Sequence, residues 1–99
     1  MHAELEALRR ELDEVDAEMI AVLGRRFDLC RRIARVKQEQ SIPMMQTDRI
    51  AAVKHRAAVL AEPHAMSPTF VDRVYDAIID EACRIERDLM ARRPAPLPK

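Results

Sequence analysis

The sequence predicts an all-α fold of three helices, long, short and long, assembled as a homodimer. Three observations carry that reading. The 99 residues hold one glycine and are rich in Ala, Leu, Arg and Glu, a composition that favours helix and disfavours sheet. Apolar residues recur from Leu5 to Val36 at alternating spacings of three and four, the signature of an amphipathic helix with a heptad-like seam. The helix they define is also too long for one small globule to cover. From about Ala3 to Gln40 it spans roughly 55 Å at about 1.5 Å per residue, whereas a compact chain of about 100 residues has a radius of gyration near 13 Å. The apolar stripe on the overhang needs a cover, and a second copy of the chain is the simplest one.

The first helix carries Leu5, Leu8, Leu12, Val15, Met19, Val22, Leu29, Ile33 and Val36, with Arg26 the one charge in the series. No proline interrupts it, and Gly24, in mid-pattern, weakens it by about 1 kcal/mol without ending it. It ends near Gln40, because Pro43 disfavours a helical conformation at Ile42. Pro43-Met44-Met45-Gln46 then reads as a short connector. Thr47 or Asp48 caps the second helix, which runs to about Ala61 with Ile50, Val53, Ala57 and Leu60 on one face. Pro63-His64-Ala65-Met66 reads as a loop. Ser67-Pro68 starts the third helix, a capping hydroxyl followed by proline at the first helical position. That helix runs to about Arg92, with Val71, Val74 or Tyr75, Ile78, Ala82, Ile85 and Leu89 inward, and Arg92 and Arg93 suit its C-terminus. Residues 1–93 are thus expected to form one helical domain, and residues 94–99 a proline-rich, disordered tail.

Composition excludes several function classes. Seventeen basic and seventeen acidic side chains cancel, which argues against a general nucleic-acid or membrane-surface binder. Three per cent aromatics and no Trp leave no stacking platform for single-stranded bases. Neither a signal peptide nor a long apolar run is evident, which predicts a cytoplasmic protein. Cys30 and Cys83 lie on different predicted helices without metal-ligand spacing and read as reduced, partly buried fillers. His2, His55 and His64 are too scattered for a metal site, and there is no phosphate loop or convincing nucleophile–base pair.

Most charges belong to a solvated face, Arg10, Arg25, Arg31, Arg32 and Arg35 among them. Arg26 differs, because the heptad count places it inside the stripe. A buried guanidinium needs either a buried anionic partner or a ligand cavity to line. Lys37 follows eleven residues later, about 20° round the helix and roughly 16 Å along it, so the two cations share a face. Arg9 lies about 25 Å before Arg26 and about 100° round, so it cannot join Arg26 of its own chain but can reach a partner's site in an antiparallel or crossed dimer. Arg49, in the first turn of the second helix, is brought back towards the end of the first by the connector. Guanidinium forks match carboxylates, so the set suggests a small dianion. Glu86 lies on a stripe with Tyr75, Ile79, Ala82 and Met90. It either pairs with a buried arginine or serves as a carboxyl group on which burial and nearby cations act in opposite directions.

These residues resemble the all-helical chorismate mutase family over roughly residues 5 to 90. The resemblance rests on Leu8-Arg9 with Asp16 following, Arg25-Arg26, Ile33-Ala34-Arg35-Val36-Lys37, Pro43, Asp48-Arg49, and Ile78-Ile79 ahead of Glu86. It implies an intertwined dimer of three-helix chains with two equivalent active sites and no cofactor. Arg26, Lys37 and Arg49 of one chain and Arg9 of the other would then hold a small-molecule dicarboxylate. Lys37 and Glu86 would flank its ether oxygen, and Gln46, Ile50 and Ala82 would complete the binding set. The implied reaction is an intramolecular Claisen rearrangement, chorismate to prephenate in the simplest case. Mutases of this kind are often activated by partner enzymes, an expectation that extends to this chain.

The chain departs from the usual pattern in three places. Ile50 stands where a glutamate commonly accepts from the C4 hydroxyl, Ala82 where a serine lies near one carboxylate, and Glu86 where glutamine is frequent. Glu86 must be protonated to donate at the ether oxygen. Pro43-Met44-Met45-Gln46 with Glu81, Cys83-Arg84 and Glu86 resembles the subgroup that rearranges 4-amino-4-deoxychorismate to 4-amino-4-deoxyprephenate, in antibiotic pathways derived from p-aminophenylalanine. Competing expectations are isochorismate pyruvate lyase, which shares an aliphatic residue at position 50 and the run Leu23-Gly24-Arg25-Arg26, and a non-catalytic helical dimer module.

Overall fold

A computed structural model describes residues 1–43 and 46–91. Three helices follow in order: α1 at Ala3–Glu39, α2 at Thr47–Ala61 and α3 at Pro68–Ala91, with a 3-10 turn at Glu62–His64 between the last two. No strand occurs among the described residues. Met44 and Met45 of the expected connector, Arg92 and Arg93 of the third helix, and the expected tail at 94–99 lie outside them.

The helix ends show why the elements stop where they do. Past α1, Ser41 turns left-handed (φ 54°) and the Ile42 N–H donates to the Lys37 carbonyl at 2.8 Å, while the Ser41 N–H reaches Gln38 at 3.4 Å. This is the Schellman closure, with serine where glycine is the usual residue. At the start of α2 the capping position is Gln46, in extended conformation, rather than Thr47 or Asp48, which are already in the first turn. Ser67 caps α3 as expected: its hydroxyl accepts from the Phe70 N–H at 3.3 Å, and Pro68 occupies the first helical position. Of the segment expected as a loop at 63–66, Pro63 and His64 fall in the 3-10 turn, which left-handed Ala65 closes.

The third helix, α3, packs against both α1 and α2. Ala57, Ala61 and Val71 form the buried cluster between α2 and α3, with Tyr75 packed against it. Leu60, expected inward, is 57% exposed, and Ala61, one residue and about 100° further round, is buried in its place. Lys54 of α2 pairs with Asp72 at 3.2 Å and with Asp76, tying α2 to α3 along their rim.

Helix α1 has two apolar faces. Leu23, Phe27, Cys30 and Ala34 are half-buried or buried, Ala34 completely, and supply the face packed on α3. The long stripe from Leu5 to Val36 is a different face, and it stands open, from 44% exposed at Leu5 to 59% at Leu12. The Cα radius of gyration is 18.4 Å, well above the ~13 Å of a compact chain this size. No described helix is long and apolar enough to cross a membrane.

Candidate active site

The three helices converge on a cavity of about 360 Å³, within the usual range for a small-molecule site. From α1 it is lined by Arg26, Leu29, Cys30, Ile33 and Lys37, which fall three or four residues apart and so share one side of the helix. Gln46 and the first two turns of α2 contribute Arg49, Ile50 and Val53. From α3 come Ile79, Ala82, Cys83 and Glu86. Three cations therefore meet one carboxyl group inside a largely apolar wall.

Glu86 is buried, and its Oε2 lies 3.6 Å from Lys37 Nζ, with the two side chains only 9% and 14% exposed. Its partner is thus the lysine, not one of the arginines considered from sequence. The Schellman closure bears on this pair, because the carbonyl that ends α1 belongs to Lys37 itself. Arg26 is half-buried. Its Nη1 lies 3.8 Å from Cys30 Sγ, and its guanidinium carbon sits 5.9 Å from the centre of the Tyr75 ring. Among the described residues no carboxylate contacts it, so of the two options left open by the sequence, lining a cavity is the one observed. Burial pushes the Cys30 thiol above its ordinary range, with the Arg26 guanidinium acting against that shift and Glu86 reinforcing it.

Seven of the residues singled out from sequence line this one cavity: Arg26, Lys37, Gln46, Arg49, Ile50, Ala82 and Glu86. Arg9 does not. It is exposed near the far end of α1, its Nη1 3.2 Å from Glu6 Oε1, and about 25 Å along the helix from Arg26. Sequence reasoning did not single out Leu29, Ile33, Val53 and Ile79 as cavity walls. Helical spacing held the signal, since Val53 is four residues after Arg49 and Ile33 four before Lys37. The two cysteines, free and half-buried as expected, line the cavity rather than merely filling space.

A family model described as chorismate mutase type II matches residues 8–87. A protein named 4-amino-4-deoxychorismate mutase from Streptomyces venezuelae is 45% identical over 89 residues, covering 90% of this chain and 86% of that protein. Another of the same name from Streptomyces pristinaespiralis is 43% identical over 94 residues, 95% of this chain and 73% of that protein. An isochorismate pyruvate lyase from Pseudomonas aeruginosa is 32% identical over 73 residues, 73% of this chain and 70% of that protein.

Proposed function

The chain belongs to the chorismate mutase type II family, and from that membership we propose that it converts 4-amino-4-deoxychorismate to 4-amino-4-deoxyprephenate. It is an isomerase. The convergence of Arg26, Lys37, Arg49 and buried Glu86 on one cavity supports the rearrangement. The amino substrate is supported by the likeness to the two Streptomyces mutases.

The reaction is unimolecular. The ether C–O bond breaks as a new C–C bond forms, three electron pairs shift round a six-membered ring, and nothing is added or lost. Catalysis therefore has two tasks. The enolpyruvyl arm must be held over the ring in a near-attack geometry, which can remove several kcal/mol of entropic barrier. Donors must also wait where negative charge grows, at the ether oxygen. Arg26 and Arg49 take the two carboxylates with bidentate forks. Lys37 faces the ether oxygen from one side, and the Glu86 carboxyl group, paired with Lys37, stands on the other. Val53 and Ile79 wall the cavity from α2 and α3. Leu29 and Ile33, half exposed in the single chain, exclude water once a second copy packs on α1, which strengthens each of these interactions. Ile50 leaves the C4 position facing an apolar wall.

The second half of the proposal is an intertwined homodimer. The open stripe of α1, from Leu5 to Val36, is the surface that a second copy covers. In that arrangement Arg9 of the partner subunit completes the dianion pocket. Any activating enzyme partner would act on this dimer.

The test is to incubate the purified protein with 4-amino-4-deoxychorismate, chorismate and isochorismate separately and identify the products by mass. Aminodeoxyprephenate formed fastest is the expected result. Prephenate formed much faster than its amino analogue removes the substrate assignment, and pyruvate released from isochorismate would favour the lyase chemistry of the Pseudomonas relative. No turnover of any of the three overturns the activity.

A further inference from the structure

We propose that Tyr75 is a positioning residue for Arg26: its ring holds the guanidinium at the cavity in the orientation that a substrate carboxylate meets. The proposal rests on the dianion site described above and goes beyond it, because Tyr75 does not line that cavity.

Arg26 projects from α1 on a stem of rotatable bonds, and a carboxylate that had to order it would lose affinity to that ordering. Two contacts hold it among the described residues. One is Cys30 Sγ at 3.8 Å, a weak acceptor one turn along the same helix. The other is the Tyr75 ring at 5.9 Å, and it alone comes from another element. This distance is within cation–π range, and the attraction grows as the pair is desolvated. Both residues are half-buried.

Tyr75 is itself fixed. It packs against the buried cluster of Ala57, Ala61 and Val71, so its position is set by the joint between α2 and α3. A line of contact thus runs from that cluster through the ring to Arg26 and into the cavity. The choice of an aromatic partner has a chemical reason. A carboxylate beside Arg26 would occupy its N–H fork and compete with the substrate, whereas a ring attracts the cation without accepting from those donors in the plane of a fork. The guanidinium is held and still available.

A double-mutant cycle tests this, with the aminodeoxychorismate reaction as readout and enzyme concentration raised for the slow variants. Tyr75→Phe, which keeps the ring, should stay within about twofold of wild type in kcat/KM, and Tyr75→Leu should lose about five- to tenfold. In an Arg26→Ala background Tyr75→Leu should cost less than about twofold, because the residue through which it acts is gone. An equal loss in both backgrounds overturns the proposal, since the ring would then act through packing alone. Tyr75→Phe as damaged as Tyr75→Leu overturns it as well. A second measurement needs no turnover: the Arg26 Nε–Hε resonance should be displaced by the ring current in wild type and in Tyr75→Phe. A wild-type resonance at the ordinary arginine position overturns the contact even if Tyr75→Leu fails to fold. Absence of turnover by wild type would instead overturn the assigned reaction, leaving the resonance to decide the clamp.

Discussion

The two halves of α1 share one apolar period and one unbroken helix, yet they meet different surroundings. Beyond Leu23 the helix packs on α3, buries Ala34 completely and supplies five residues to the cavity. Before Leu23 almost every side chain is exposed, including Leu5, Leu8, Leu12, Val15 and Met19. The charges divide in the same way. Arg26 and Lys37 are gathered with Arg49 and Glu86, whereas Arg9, among the described residues, pairs with its neighbour Glu6. The difference teaches that a periodic stripe records that a face must be covered, but not by what. In the second half one face is covered by the chain's own α3, while the long stripe stays open along both halves.

The largest expected effect lies in the packed half. Arg26→Ala should fold with unchanged helicity yet lose at least ~3 kcal/mol of transition-state stabilisation, read from kcat/KM. Intact activity would make Arg26 structural and move the dianion site elsewhere. Arg9→Ala probes the free half against it, and a mixture of the two variants joins the comparison. Each variant alone should be nearly inactive. Co-refolded in equal amounts, they should recover about a quarter of wild-type activity, because half of the dimers then carry one complete site. No recovery would break the assignment of Arg9 to the opposite subunit.

A change in the stripe itself should come next. Leu12→Asp places a charge on a residue that is exposed in the single chain, so it should cost almost nothing if the chain works alone. If a second copy covers it, the substitution forfeits roughly 2 kcal/mol of apolar burial and adds the cost of an unpaired charge. Sedimentation at micromolar concentration should then show dissociation, with activity lost in parallel. A fully active monomer would refute the dimeric site.

Glu86 and Lys37 sharpen the comparison at the chemical end of α1. Glu86→Gln keeps the shape of the side chain, removes the carboxylate beside Lys37 and offers an amide donor, so kcat/KM should change by a few-fold rather than by orders of magnitude. A loss of about a hundredfold or more would show that the carboxyl group of Glu86 is itself required at the ether oxygen.

Much of this was legible in the residues. The 3.6 period placed all three helices, and Ser67-Pro68 marked the start of α3 to the residue. The wheel positions of Arg26 and Lys37 put both on one cavity, and Glu86 was expected inward and is buried. What could not be read depends on three-dimensional neighbours. Leu60 and Ala61 are both apolar and adjacent, and only the angle at which α2 meets α3 decides that the smaller one fits the joint. The separate face of α1 formed by Leu23, Phe27, Cys30 and Ala34 is masked by the stronger leucine stripe beside it. The lysine partner of Glu86 was missed for a related reason: cations of similar reach were available, and the pairing is settled by the end of α1.

That end supports the smallest prediction. α1 begins at His2 with no side-chain cap, but it stops on the Schellman closure at Ser41, which fixes the Lys37 carbonyl. Serine in a left-handed conformation at φ 54° is strained by its Cβ, a cost of about 1 kcal/mol that glycine avoids. Glycine also gains freedom in the unfolded chain, so Ser41→Gly should stabilise by a net ~0.5 kcal/mol and raise Tm by about 2–4 °C. A rise in Tm without change in kcat/KM would mean that the closure stabilises the packed half without tuning the site. A rise in Tm with reduced activity would instead mean that the strain at Ser41 helps to aim Lys37. A fall in Tm would show that the serine side chain makes a compensating contact at this end of the helix.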